Sequence, residues 1–69
     1  MKISARNSLP GVIQKIDLGA VNAAVSIDLA PSLTIVSIIT VDAVKSLKLK
    51  VGDRAYAVIK ASSVMVGID

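Results

Sequence analysis

The sequence predicts an all-β domain with one short helix, arranged as an OB-like Greek-key barrel of five to six strands. Apolar and polar residues alternate over several short segments bounded by glycine, proline or serine, which is the pattern of half-buried strands. One segment changes to a three-residue apolar spacing, which predicts a helix between three strands and two. With 69 residues, the whole chain, 1–69, is expected to form a single domain.

The strands expected before the helix differ in how clearly they are marked. The segment Val21–Leu29 alternates apolar with small or polar residues, and Leu33–Thr40 is β-branched at six of its eight positions. A turn at Leu18-Gly19-Ala20 precedes Val21–Leu29, and Pro31-Ser32 interrupts the pattern after it. The expected segments are Lys2–Ser8 as a short strand, then Gly11–Leu18, Val21–Leu29 and Leu33–Thr40.

A helix is expected between Thr40 and Leu49, where apolar residues lie three apart. Thr40 is the expected N-cap, and Asp42 places a negative charge in the first turn, where the helix dipole favours it. Gly52 is expected to end this run. The strands expected after it are 54–60 and 63–68.

Composition excludes most catalytic chemistry. The chain has no cysteine and no histidine, so it has no thiolate nucleophile, no Ser–His pair, no disulfide and no ordinary zinc, haem or iron–sulfur ligands. We therefore expect a binding protein that is not an enzyme, with no metal held directly by side chains.

Location is predicted from two further features. The longest uncharged stretch, Leu29–Val41, has 13 residues, fewer than the roughly 20 that a membrane span requires. The N-terminus carries a second cation at Arg6 and no apolar segment typical of a secretory signal. A cytoplasmic protein without membrane contact is expected.

Small size favours self-association. A domain of about 60 residues buries only roughly 60% of its unfolded surface, so its stability margin is thin. The strand Leu33–Thr40 is apolar on both faces, with Ile35 and Ile39 on one and Val36 and Ile38 on the other. The segment 63–68 is also apolar on both faces. Such strands are either central within one chain or covered by a second subunit, and we favour the second interpretation because the chain offers little internal cover.

The net charge of +3 suggests an anionic ligand. Arg6 and Lys60 each lie among small polar residues, a setting that supplies charge, hydroxyl groups and approachable backbone N–H groups to an oxyanion. The remaining lysines are expected on solvated faces. From composition alone, a solvated surface run without a ligand remains the alternative.

Two motifs give the chain a family resemblance. The opening Lys2-Ile3-Ser4-Ala5-Arg6-Asn7 and the closing Tyr56-Ala57-Val58-Ile59-Lys60-Ala61-Ser62-Ser63, at this separation, resemble the molbindins. These are small molybdenum-pterin-binding (Mop) proteins built from a single Mop, or TOBE-like, domain. The similarity extends over essentially the whole chain and includes Gly19-Ala20-Val21-Asn22 and Ser37-Ile38-Ile39-Thr40.

The resemblance implies a cytoplasmic protein that binds molybdate, and tungstate, for molybdenum storage or homeostasis. It also implies a homohexamer built from strand-exchanged dimers, with the oxyanion sites between subunits. By matching motifs, the first site takes Ser4, Ala5, Arg6, Lys60, Ala61 and Ser62, with Thr40 from a neighbouring subunit. A second site near a symmetry axis takes Gly19, Ala20, Val21 and Asn22.

Two other functions fit a basic OB-like barrel. The first is single-stranded nucleic-acid binding, although such sites stack bases on aromatic side chains and this chain has only Tyr56. The second is a structural assembly module without a ligand. Molybdate titration of the wild type and an Arg6→Ala variant distinguishes these functions from anion binding.

Overall fold

The computed structural model describes all 69 residues and contains four strands, one α-helix and one short 3-10 turn. The sequence expectation of a mostly β chain with one short helix is confirmed. In chain order the elements are β1 (Asn7–Leu18), β2 (Asn22–Ala30), β3 (Leu33–Thr40), α1 (Val41–Leu47), β4 (Arg54–Ile59) and the 3-10 turn Ala61–Ser63.

The four strands form one antiparallel sheet in the order β3-β2-β1-β4. The first three strands are sequential neighbours, and the chain then passes through α1 so that β4 lies beside β1. This is the Greek-key order that the sequence predicts. β3 and β4 are the two edges and do not pair with each other, so the curled sheet is a half-barrel. A groove of about 210 Å³ lies between these two edges.

A β-bulge in β1 directs two isoleucines to the core. Ile13 pairs with Ile27 and Lys15 pairs with Ser26, which leaves Gln14 without a partner. The extra residue shifts the inward face, so Ile16 packs against the same core as Ile13 despite the three-residue spacing.

Gly11 allows β1 and β2 to approach each other closely. A Cβ atom at this position would lie 2.5 Å from the carbonyl oxygen of Asp28 and 2.7 Å from Cγ2 of Ile27. Neither distance is compatible with a side chain, and the nearer atom belongs to backbone that cannot rotate away. Close packing of β1 against β2 therefore requires glycine at position 11.

Helix α1 closes one end of the half-barrel. The Thr40 hydroxyl accepts a hydrogen bond from the Ala43 N–H at 3.0 Å, which confirms the expected N-cap. The expected end at Gly52 is wrong. The helix ends at Leu47 because Lys48 adopts a left-handed conformation (φ 55°), and its N–H bonds back to the helix. Gly52 (φ 95°) instead turns the loop that leads into β4.

Two strand expectations at the chain ends are corrected. Residues 63–68 form no strand, because Ser63 belongs to the 3-10 turn and the residues after it pair with no strand of their own chain. The expected short strand Lys2–Ser8 is also wrong in its bounds. β1 begins at Asn7 and continues through Pro10, which is tolerated because β1 there has a neighbour on one side only.

The core is small for the amount of apolar side chain present. Only six of 69 residues are buried, and most of them are valine or alanine. On the outer face of β3, Val36 and Ile38 remain 58% and 65% exposed, so no element of the same chain covers this second apolar face. The buried residues are Ile13, Ala23, Val25, Ile27, Val44 and Ala57.

Substituting Gly11 with alanine should lower the free energy of unfolding by about 1–3 kcal/mol, because the new methyl group must displace the β2 backbone. Urea denaturation at a fixed protein concentration measures this loss. Ser46→Ala, at an exposed position of α1 outside the sheet and outside residues 63–68, is the control and should not lower the stability. Equal stability of the two variants would contradict the packing argument.

Candidate functional site

Pairing between β1 and β4 brings the segments 4–6 and 60–62 together. Asn7, the first residue of β1, pairs with Ile59, the last residue of β4. The residues just before Asn7 therefore lie beside those just after Ile59. An open cleft of about 590 Å³ forms at this junction, lined by Ser4, Ala5, Arg6, Val58, Lys60, Ala61 and Ser62.

The cleft is rich in hydrogen-bond donors. The N–H groups of Ser4, Ala5, Arg6, Ala61 and Ser62 donate to no backbone carbonyl. Two serine hydroxyls add donors that can rotate toward a ligand. Alanine at two positions leaves the neighbouring backbone accessible.

Charge in the cleft is positive and unpaired. The one ion pair of the chain joins Lys15 and Asp17 at 3.3 Å, so neither Arg6 nor Lys60 is bound to a carboxylate. No acidic residue lines the cleft. A guanidinium, an ammonium group and free N–H groups in one concavity are the kinds of donor that suit a compact oxyanion.

Thr40 lies elsewhere in the chain. It pairs with Asn22 across β2 and β3, and its hydroxyl is the cap of α1. Six of the seven residues expected at the first site therefore line the cleft, and Thr40 instead lies next to the second expected group of residues.

The second group, residues 19–22, forms the turn between β1 and β2. The Gly19 N–H donates to the Asn22 carbonyl at 2.8 Å, so it is not free for a ligand. The Val21 carbonyl accepts from Val41 N–H at 2.8 Å, which ties the turn to α1. The N–H groups of Ala20 and Val21 donate to no backbone carbonyl and, with the exposed Asn22 amide, are the donors that remain.

Val58 is a cleft residue that sequence reasoning missed. Its side chain is apolar, so it carries no signal of anion chemistry. The strand pattern could have identified it, because alternate residues of a strand share a face and Val58 lies two residues before Lys60.

The chain has neither a cluster of metal-ligating side chains nor a helix that could span a membrane. No group of three or more histidine, cysteine, aspartate or glutamate residues lies close enough together to hold a metal ion. No helix has the length and apolar character needed to cross a membrane.

Comparison with known proteins gives a consistent set of relatives. A family model described as the TOBE domain matches residues 3–66. The chain is 52% identical to a probable molybdenum-pterin-binding protein of Haemophilus influenzae over 69 residues, which is the full length of both proteins.

The chain also has the same fold as solved structures of molybdate-binding proteins. A molybdate-binding protein from Sporomusa ovata superposes with a TM-score of 0.91 at 37% identity, covering 99% of this chain and all of that one. The cytoplasmic molybdate-binding protein ModG, crystallised with molybdate bound, gives a TM-score of 0.92 at 46% identity. This chain is covered completely and spans about half (49%) of the ModG chain.

Replacing Thr40 with alanine should lower the free energy of unfolding by about 1 kcal/mol, because the Ala43 N–H loses its acceptor. Thr40→Ser, which keeps the hydroxyl, should retain most of that stability. Urea denaturation of both variants at one protein concentration makes the comparison. If serine and alanine were equally destabilising, the cap would not be the source of the loss.

Proposed function

The chain belongs to the TOBE-domain family of molybdenum-pterin-binding (Mop) proteins, a family of binding proteins and not of enzymes, and on this premise we propose that it binds molybdate and tungstate as intact oxyanions. The observation that carries the proposal is the cleft between Ser4-Ala5-Arg6 and Lys60-Ala61-Ser62, with two unpaired cations and no carboxylate.

The donors of the cleft suit this ligand. Molybdate is a tetrahedral dianion at neutral pH, and its four oxygens accept hydrogen bonds without any metal–ligand bond to the protein. Each hydrogen bond involving a charged group contributes about 1.5–3 kcal/mol. A carboxylate in the cleft would oppose binding by several kcal/mol. The absence of cysteine and histidine is therefore no obstacle to holding molybdenum in this form.

The site is completed between subunits in this proposal. Val64, Met65, Val66 and Ile68 follow the cleft directly and are all exposed, three of them by more than 90%. An extended apolar segment without a partner in its own chain suits exchange between two copies. The assembly we propose is a homohexamer of strand-exchanged dimers, in which Thr40 of a neighbouring subunit contributes to the first site.

The turn at residues 19–22 is proposed as the second oxyanion site. Ala20 and Val21 offer free N–H groups, and Asn22 offers its amide. No cation belongs to this turn, so a single copy provides little charge compensation. Several copies meeting at a symmetry axis would supply more donors to one anion.

The cellular role that fits these features is storage or homeostasis of molybdenum in the cytoplasm. ModG, one of the structural relatives, is a cytoplasmic molybdate-binding protein.

Titration calorimetry with sodium molybdate tests the site. Arg6→Ala and Lys60→Ala should each weaken binding about 10- to 100-fold, the equivalent of one lost charged hydrogen bond. Lys45→Ala is the matched control, because it removes the same charge from an exposed position on α1 and should leave the affinity unchanged.

Three results would contradict the proposal. Equal loss in Lys45→Ala would mean that only net charge matters. Salt-sensitive binding of an oligonucleotide without any molybdate response would favour the nucleic-acid function. A hexamer that ignores molybdate would be a structural module.

Assembly is tested at Val66, which is 91% exposed in the single chain. Val66→Asp places a charge in the segment proposed to exchange, so it should reduce the hexamer to smaller species in sedimentation velocity. Ser46→Asp, at an exposed position of α1, adds the same charge and should leave the hexamer intact. A wild-type protein that sediments as a 7.1 kDa monomer would refute this part of the proposal.

A further inference from the structure

Val58 differs from every other residue of the cleft. The other six side chains are cationic, hydroxyl-bearing or a single methyl group, whereas Val58 is a branched apolar group. It lies on the outer face of β4, paired with Ser8 of β1, and is 48% exposed.

Val58 also lines the groove between β3 and β4, so one face of the cleft continues into apolar surface. Within one chain, the donors of the cleft come from the segments 4–6 and 60–62, and the Val58 side chain offers none. An anion held by Arg6 and Lys60 would therefore meet, on this side, a group that cannot donate a hydrogen bond in place of the water that it displaces.

The cost of this contact depends on the size of the anion. Removing water from an ion costs less free energy as the ionic radius increases, because hydration weakens when the same charge is spread over a larger sphere. Sulfate and molybdate share shape and charge, but molybdate is larger. A side without donors penalises sulfate more, which is discrimination by an unfavourable contact.

We propose that Val58 is a specificity-determining residue of the oxyanion cleft, which selects large, weakly hydrated tetrahedral dianions over sulfate; this inference rests on the proposed function. The selection acts by dehydration and not by an added bond. Molybdate and tungstate are nearly equal in size, so Val58 does not distinguish between them.

The test is the ratio of the sulfate to the molybdate dissociation constant, measured by titration calorimetry with sodium sulfate and sodium molybdate. Val58→Thr keeps the shape of the side chain and adds a hydroxyl donor, and Val58→Ala admits water. Both variants should lower the ratio by about tenfold, which corresponds to about 1.4 kcal/mol. The tungstate-to-molybdate ratio should not change in either variant.

Two controls separate selectivity from assembly. Val36 lines the groove between β3 and β4 but not the cleft, and Val12 is 45% exposed on the same outer face and lines neither. Val36→Thr and Val12→Thr should keep the wild-type ratio. An unchanged ratio in Val58→Thr, or an equal fall in Val36→Thr, would overturn the inference while leaving anion binding intact. A wild type that binds neither anion would overturn the proposed function itself.

Discussion

The antiparallel pairing of β1 with β4 is the constraint on which the candidate site depends. The register begins at the cleft, where Asn7 pairs with Ile59, and continues along six consecutive residue pairs to Val12 and Arg54. The segments 4–6 and 60–62 contain only small, polar or charged side chains, so this strand pairing is what holds them side by side. Because the register determines which backbone N–H groups converge, a slip of one residue would turn Lys60 to the opposite face and separate the two cations.

Local patterns predicted the local features. The alternation in β2 identifies Ala23, Val25 and Ile27 as inward-facing, and all three are buried. The N-cap at Thr40 follows from its position before a three-residue apolar spacing. Residues 63–68 have the same alternation as a strand, but a strand requires a partner edge, and sequence alone does not show where that edge lies. The bulge at Gln14 was missed for the same reason, since it is defined by pairing with β2.

The two halves of the candidate site could be predicted from the sequence, but their meeting depends on strand pairing that the sequence alone does not show. Both halves of the cleft are short motifs that can be recognised separately, and the pairing of β1 with β4 explains why they meet. Thr40 is expected at this site from a neighbouring subunit through the family resemblance, and within its own chain it lies beside Asn22. Two apolar surfaces remain uncovered in the single chain, namely the outer face of β3 and the segment 63–68. An anion bound between copies, as proposed, would stabilise the assembly by about 2.7 kcal/mol when the free anion is at 100 times its dissociation constant.

β1 also separates the two groups of candidate anion-binding residues. The cleft precedes its first residue and the turn at residues 19–22 follows its last, so the two groups lie at opposite ends of a 12-residue strand. At roughly 3.3 Å per residue this strand is at most about 36 Å long, and the longest dimension of the molecule is also 36 Å. The Debye length at physiological ionic strength is about 8 Å. Within one protomer, the interaction between anions bound at the two ends of β1 would therefore be almost completely screened. Any coupling between the two sites would have to act through the backbone or through neighbouring copies.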